Sequence, residues 1–145
     1  MITTSIVLDC SAERAFALFT EGASEWWPVE RRHTTDPTSE IRMLSSGRFW
    51  ERASNGEEVE LGRVRAWQPP HRVVLDFYPG TSPTEPTCVV VTFAAIGDAT
   101  RVTVEHAPLP ASEALWLQRA PRFERSWDLL LAALARHGGA GPLQP

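Results

Sequence analysis

The stretch SEALWLQRAPRFERSWDLLLAALAR, residues 112–136, decides how the rest of the chain is read. Its apolar residues Trp116, Ala120, Phe123, Trp127, Leu130, Leu131 and Leu134 fall at steps of four, three, four, three, one and three. Such steps return to one side of an α-helix, so these side chains form a continuous stripe that must be buried against another element. Pro121 interrupts it. A proline in a helix interior removes a hydrogen bond and crowds the preceding turn. The spacing therefore predicts a first segment near residues 112–119 and a longer one that Pro121 opens. Gly138 and Gly139 are expected to end the helix, and residues 138–145 read as a disordered tail.

The preceding residues supply the surface that the stripe needs. Residues 40–43, 47–53, 58–67, 72–78, 87–95 and 100–106 read as six strands, rich in β-branched and aromatic residues. Asn55-Gly56 is a strong hairpin signal, Gln68-Pro69-Pro70 turns the chain, and residues 79–86 read as a turn-rich loop. Short turns argue for antiparallel pairing, and an antiparallel sheet commonly buries one face. Ahead of these lie a first strand in residues 2–9, a helix that Ser11 caps, and a second helical turn at Glu25-Trp26-Trp27 stopped by Pro28. Residues 29–36, charged and polar, read as an exposed loop. Strands followed by one long covering helix make the fold class α+β.

Composition narrows the function. The 145 residues are 43% hydrophobic and 22% charged, the profile of one globular domain. Eighteen acids against fourteen bases give a net charge of −4, which disfavours nucleic acid as a partner. All fourteen bases are arginine, so Schiff-base chemistry through lysine is excluded. No apolar run is long enough to span a membrane, and residues 1–5 carry no secretory signal, so a cytoplasmic location is expected. Cys10 and Cys88 read more readily as free, reduced thiols than as a single disulfide, which the sequence leaves open. His33, His71, His106 and His137 show no ligand spacing, so no metal is expected, and no phosphate-binding or serine-nucleophile motif is present. No cofactor is implied.

Several local motifs occur in a fixed order. They are Ser11-Ala12-Glu13-Arg14-Ala15-Phe16, Trp26-Trp27-Pro28, Gly47-Arg48-Phe49-Trp50-Glu51, Asn55-Gly56, Gly62-Arg63-Val64, Trp67-Gln68-Pro69-Pro70, the run from Thr100 to His106, and Trp127. The ordered set resembles the START-like (SRPBCC) superfamily. Within it, the set is most similar to the branch of the C-terminal domain of the activator of the 90-kDa heat-shock protein's ATPase. Residues 121–126 depart from that pattern, in which a glycine often precedes the tryptophan. The resemblance implies a helix-grip fold over residues 1–137: a curved antiparallel sheet wrapped around a long C-terminal helix, with two short helices after the first strand. It also implies a cavity between sheet and helix. Members bind lipids, hormones or polyketide-like molecules there, and some are cyclases or hydrolases.

Strand parity sorts the candidate residues. Val102, Val104 and His106 share one face of the last strand. Thr87, Val89, Val91 and Phe93 share the inward parity of the strand before it, and Val73, Leu75 and Phe77 that of the strand before that. If Phe49 is inside, Glu51 is the carboxylate that borders the interior. The expected ligand-binding set is Trp26, Trp27, Phe49, Glu51, Leu75, Phe77, Val91, Phe93, Val104, His106, Trp116, Phe123, Trp127 and Leu131. His106 and Glu51 are the catalytic candidates, provided they converge. Each also has a plainer reading, His106 as a hydrogen-bonded structural residue and Glu51 as the partner of Arg48, Arg63 or Arg72. Of Trp26 and Trp27, one is expected to plug the core and the other to lie at the cavity mouth.

Binding of a hydrophobic or amphipathic small molecule, without catalysis, ranks first. A cyclase or hydrolase acting in the same cavity ranks second. A chaperone-regulating interaction module, with residues 30–33 as its contact surface, ranks third. A homodimer stays open.

Overall fold

The computed structural model describes residues 1–139. The chain runs as β1 (Ile2–Leu8), α1 (Ala12–Phe19), α2 (Ala23–Trp26), a 3-10 turn (Val29–Arg31), then β2 (Glu40–Met43), β3 (Arg48–Arg52), β4 (Glu58–Gln68), β5 (Arg72–Ser82), β6 (Glu85–Ile96) and β7 (Ala99–Pro108). The helix α3 (Glu113–Leu134) follows, closed by a π turn at Ala135–Gly139. The seven strands form one antiparallel sheet in the order β1-β7-β6-β5-β4-β3-β2. It curls into a half-barrel that grips α3, an α+β helix-grip architecture. Residues 140–145, most of the expected tail, lie outside the described residues.

Local chemistry accounts for the elements. Ser11 caps α1, its Oγ accepting from the Arg14 amide at 3.2 Å. Register shifts at Phe49/Trp50, Val64/Ala66 and Phe77/Ser82 mark irregularities that bend the central strands. Ser112, at the start of α3, accepts from the Leu109 amide at 3.0 Å and donates to the Pro86 carbonyl at 2.8 Å, tying the helix to β6.

Three expectations need correction. Residues 112–134 do not divide at Pro121: α3 is a single helix with the proline inside it. The carbonyl that loses its partner belongs to Leu117. That residue is 89% exposed and Pro121 is also exposed, so water can satisfy the carbonyl. Phe123, Trp127, Leu130, Leu131 and Leu134 are buried beyond the proline and hold the helix to the sheet.

The loop expected at residues 79–86 is mostly strand, leaving only Pro83 and Thr84 as the tip between β5 and β6. Gly80, at φ +83°, absorbs the irregularity there.

Residues 29–36 are only in part the exposed loop expected: Val29, Glu30, His33 and Thr35 are exposed, but the rest is held against the protein. They begin with the 3-10 turn, Thr34 is buried, and the segment is bonded inward.

The inward faces follow parity. Val73, Leu75 and Phe77 on β5, Val89, Val91 and Phe93 on β6, and Val102 and Val104 on β7 are buried. Phe16 and Phe19 of α1 meet Phe93 at ring distances of 5.2 and 6.0 Å. So α1 and α2 fill one part of the concave side and α3 fills the other. The open volume is left where the two fillings part.

Candidate functional site

That volume is a cavity of about 320 Å³ between α3, the segment at residues 27–33 and the β5 bulge, at the small end of the usual range for ligand pockets (about 300–1,000 Å³). Phe77, Phe123, Trp127, Leu130 and Trp27 supply its apolar wall. Gly80 lets the β5 backbone approach: a Cβ there would stand 2.4 Å from Phe123 Cε1. The rim is polar, carrying Arg31, Arg32, Arg119, Arg122, Arg125 and Ser126 with Glu30 and His33.

The 27–33 segment is pinned from beneath by Glu51. This carboxylate is 0% exposed. It accepts from the His33 amide at 2.7 Å, the Thr34 amide at 2.9 Å, the Thr34 hydroxyl at 2.7 Å and the Ser39 hydroxyl at 3.0 Å. Burial pushes its pKa up, but these donors outweigh burial and hold it below the ordinary carboxylate value. Arg32 is engaged in the same way. It donates to the carbonyls of Ser24 at 2.9 Å and Trp27 at 3.0 Å, and to Ser39. Arg31 crosses to the helix, its Nε donating to Ser126 Oγ at 2.8 Å.

His106 lies behind Phe123, 0% exposed, with ring centroids 4.4 Å apart. Trp116 and Phe77 stand edge-on to it, each at 5.3 Å. Its Nδ1 is 3.0 Å from the Trp127 indole nitrogen, and its Nε2 is 2.6 Å from Thr87 Oγ1. An indole N–H only donates, so Nδ1 accepts and Nε2 carries the proton toward Thr87. The Thr87 hydroxyl passes the chain on to the Phe77 carbonyl at 3.3 Å. Burial, with a smaller push from the N-terminal ammonium, drives the His106 pKa down to about 3.

The structure distributes the expected site residues over three surroundings. Trp27, Phe77, Phe123 and Trp127 line the cavity. Trp26, Phe49, Leu75, Val91, Phe93, Val104 and Leu131 are packed in the core, and Trp26 donates to the Leu18 carbonyl at 2.7 Å. Trp116, His106 and Glu51 stand behind the wall. Glu51 and His106 share no hydrogen-bond partner, and strands β4, β5 and β6 separate theirs. Glu51 pairs with none of Arg48, Arg63 or Arg72; Arg48 binds Glu58 and Glu60 instead. Arg31 and Arg32 fell within residues 30–33, expected as a contact surface, but the rim arginines of α3 escaped the sequence reading. Arg119, Arg122 and Arg125 recur at steps of three along one flank of the apolar stripe, a pattern visible beforehand. The arrival of Arg31 opposite Ser126 was not, because the two are 95 positions apart.

The family model described as "Activator of Hsp90 ATPase homolog 1-like protein" matches residues 9–138. Among solved structures, the chain is similar to CalC from Micromonospora echinospora, a self-sacrificing resistance protein. The identity is 27% over 92% of this chain and 90% of that one, with a TM-score of 0.72. It also resembles the anthrahydroquino-gamma-pyrone synthase Txn09, at 24% identity over 93% and 94% of the two chains and a TM-score of 0.58. Protein CV1439 from Chromobacterium violaceum matches at 17% identity over 94% and 96%, with a TM-score of 0.63. The last two likenesses concern the fold alone. No curated protein matches the chain. Among the described residues, no helix is long and apolar enough to cross a membrane.

Proposed function

The chain belongs to the activator of Hsp90 ATPase homolog 1-like family, within the START-like (SRPBCC) superfamily, and on that premise we propose that it binds a small hydrophobic or amphipathic molecule between its sheet and α3. One observation carries the reading: a cavity of about 320 Å³ walled by Trp27, Phe77, Phe123 and Trp127. A guest that buries about 200 Å² of apolar surface there gains roughly 5 kcal/mol before the cost of association. Binding without turnover is preferred to a cyclase or hydrolase. Both His106 nitrogens and the Glu51 carboxylate are already engaged by the protein, which leaves neither placed to exchange a proton with a guest.

CalC is a resistance protein; holding a small molecule out of solution is the share of such a role that this cavity supports. Chaperone regulation ranks lower. Its contact segment, residues 30–33, carries Arg32 and His33 groups bonded inward. A cytoplasmic location suits the free thiols of Cys10 and Cys88.

Native mass spectrometry and a thermal-shift screen with fatty acids, flavonoids and polyketides test the proposal. The expected result is a one-to-one adduct and a Tm raised by several degrees at saturating ligand. Ser126→Trp, which fills the cavity mouth, abolishes both. A screen in which no compound gives an adduct or moves Tm overturns the proposal.

A further inference from the structure

The cavity rim holds five arginines and one carboxylate, Glu30, in a protein whose net charge is −4. On the sheet, Arg48 pairs with Glu58 and Glu60, and Arg65 with Asp76, while among the described residues Arg52, Arg63, Arg72 and Arg101 meet no carboxylate. The cavity differs in gathering several such arginines at one rim. Among the described residues, Arg31, Arg119, Arg122 and Arg125 have no carboxylate oxygen within 4.0 Å. Glu124 and Asp128, the acids of α3 nearest in sequence, are exposed and lie off the cavity wall.

Arg119 adds a second observation. Its Nε is buried and has no hydrogen-bond partner, a state shared by Arg32 Nε on the same rim and by Trp50 Nε1 away from it. A buried donor left unmade is costly, and native structures seldom retain one without a use. Guanidinium groups bind carboxylates and phosphates through paired N–H donors, more strongly where apolar walls exclude water. Here Phe77, Phe123 and Trp127 line the same cavity as those donors.

We infer that the guest is an amphipathic anion, its apolar body packed on Phe123 and Trp127 and its carboxylate, sulfonate or phosphate group held by Arg119 and Arg122. This deepens the binding proposal and rests on it. Arg31 and Arg125 stand at the same rim and draw the anion in by long-range attraction.

The test uses two probes that share one apolar body, anionic 8-anilinonaphthalene-1-sulfonate and neutral N-phenyl-1-naphthylamine, titrated against the full chain by fluorescence. The anionic probe is expected to bind about tenfold tighter, the advantage of one charge-assisted hydrogen-bonded contact. That advantage shrinks as salt rises and is lost in Arg119→Gln/Arg122→Gln. Arg122→Gln alone, at an exposed side chain, reduces it without disturbing the fold, as circular dichroism and Tm verify. Equal affinities of the two probes, both abolished by Ser126→Trp, overturn the inference and leave the binding proposal standing. An anionic preference that survives both arginine substitutions overturns it as well. Failure of both probes to bind brings down the inference together with the binding proposal.

Discussion

His106 is neutral in the folded protein because a cation has nowhere to go there. Trp127 directs an N–H at one ring nitrogen and Phe77, Trp116 and Phe123 surround the ring. The folded pKa of about 3 lies below the ordinary 6.5. The unfolded chain therefore binds more protons throughout that window, so stability rises with pH across it. Stability from this group is complete above pH 6.5 and drains as pH falls toward 3. His106→Gln should flatten that slope, which approaches about 1.4 kcal/mol per pH unit for one group; urea denaturation at a series of pH values measures it. Glu51 has the same sign for a different reason. Its folded pKa lies below 4.5, so its contribution is present above that value and is lost as pH falls through the folded pKa. Glu51→Gln places an amide N–H₂ where N–H and O–H donors already converge. It should cost about 2–4 kcal/mol at neutral pH, measured by urea denaturation, and loosen the cavity wall carried by residues 31–33.

At the scale of elements, the contact between the β5 bulge and α3 shapes the site. Gly80 combines φ +83° with a Cβ position 2.4 Å from Phe123 Cε1. Phe123 cannot retreat, because His106 lies behind it at 4.4 Å and Trp116 stacks on it at 5.6 Å. Gly80→Ala is therefore expected to lose more than about 2 kcal/mol in chemical denaturation, from backbone strain plus overlap. It should also weaken ligand binding by displacing α3. The persistence of α3 through Pro121 belongs to this scale too. The buried residues that follow the proline fasten the helix against the strands, while the freed carbonyl faces water.

For the whole molecule, the question is which aromatic residues wall a space and which fill one. Phe16, Phe19 and Phe93 interlock beneath α1, far more tightly than a ligand chamber running the length of the sheet would allow. Trp27, by contrast, borders the cavity, with its indole N–H donating to the Arg31 carbonyl at 3.2 Å. Two substitutions separate the roles. Phe93→Leu should lower Tm and leave probe affinity unchanged, since it repacks a core layer. Trp27→Leu should weaken probe binding roughly three- to tenfold through lost apolar contact. Equal effects of both on affinity would mean that the cavity reaches the sheet centre.

The amino-acid order by itself determined the elements that rest on local periodicity: seven strands, their inward parity, and a terminal helix with a buried stripe. Side-chain alternation and helical spacing are properties of the chain's own geometry, so Val104 and His106 share one face whatever lies opposite. Tertiary structure alone decided what those inward groups meet. His106 finds Trp127, Glu51 finds the amides of residues 33 and 34, and Arg31 meets Ser126 across the cavity. Each of these partnerships forms between segments brought together only when the sheet curls. The same curling settles how much of the concave face α1 fills, and hence where space remains for a guest.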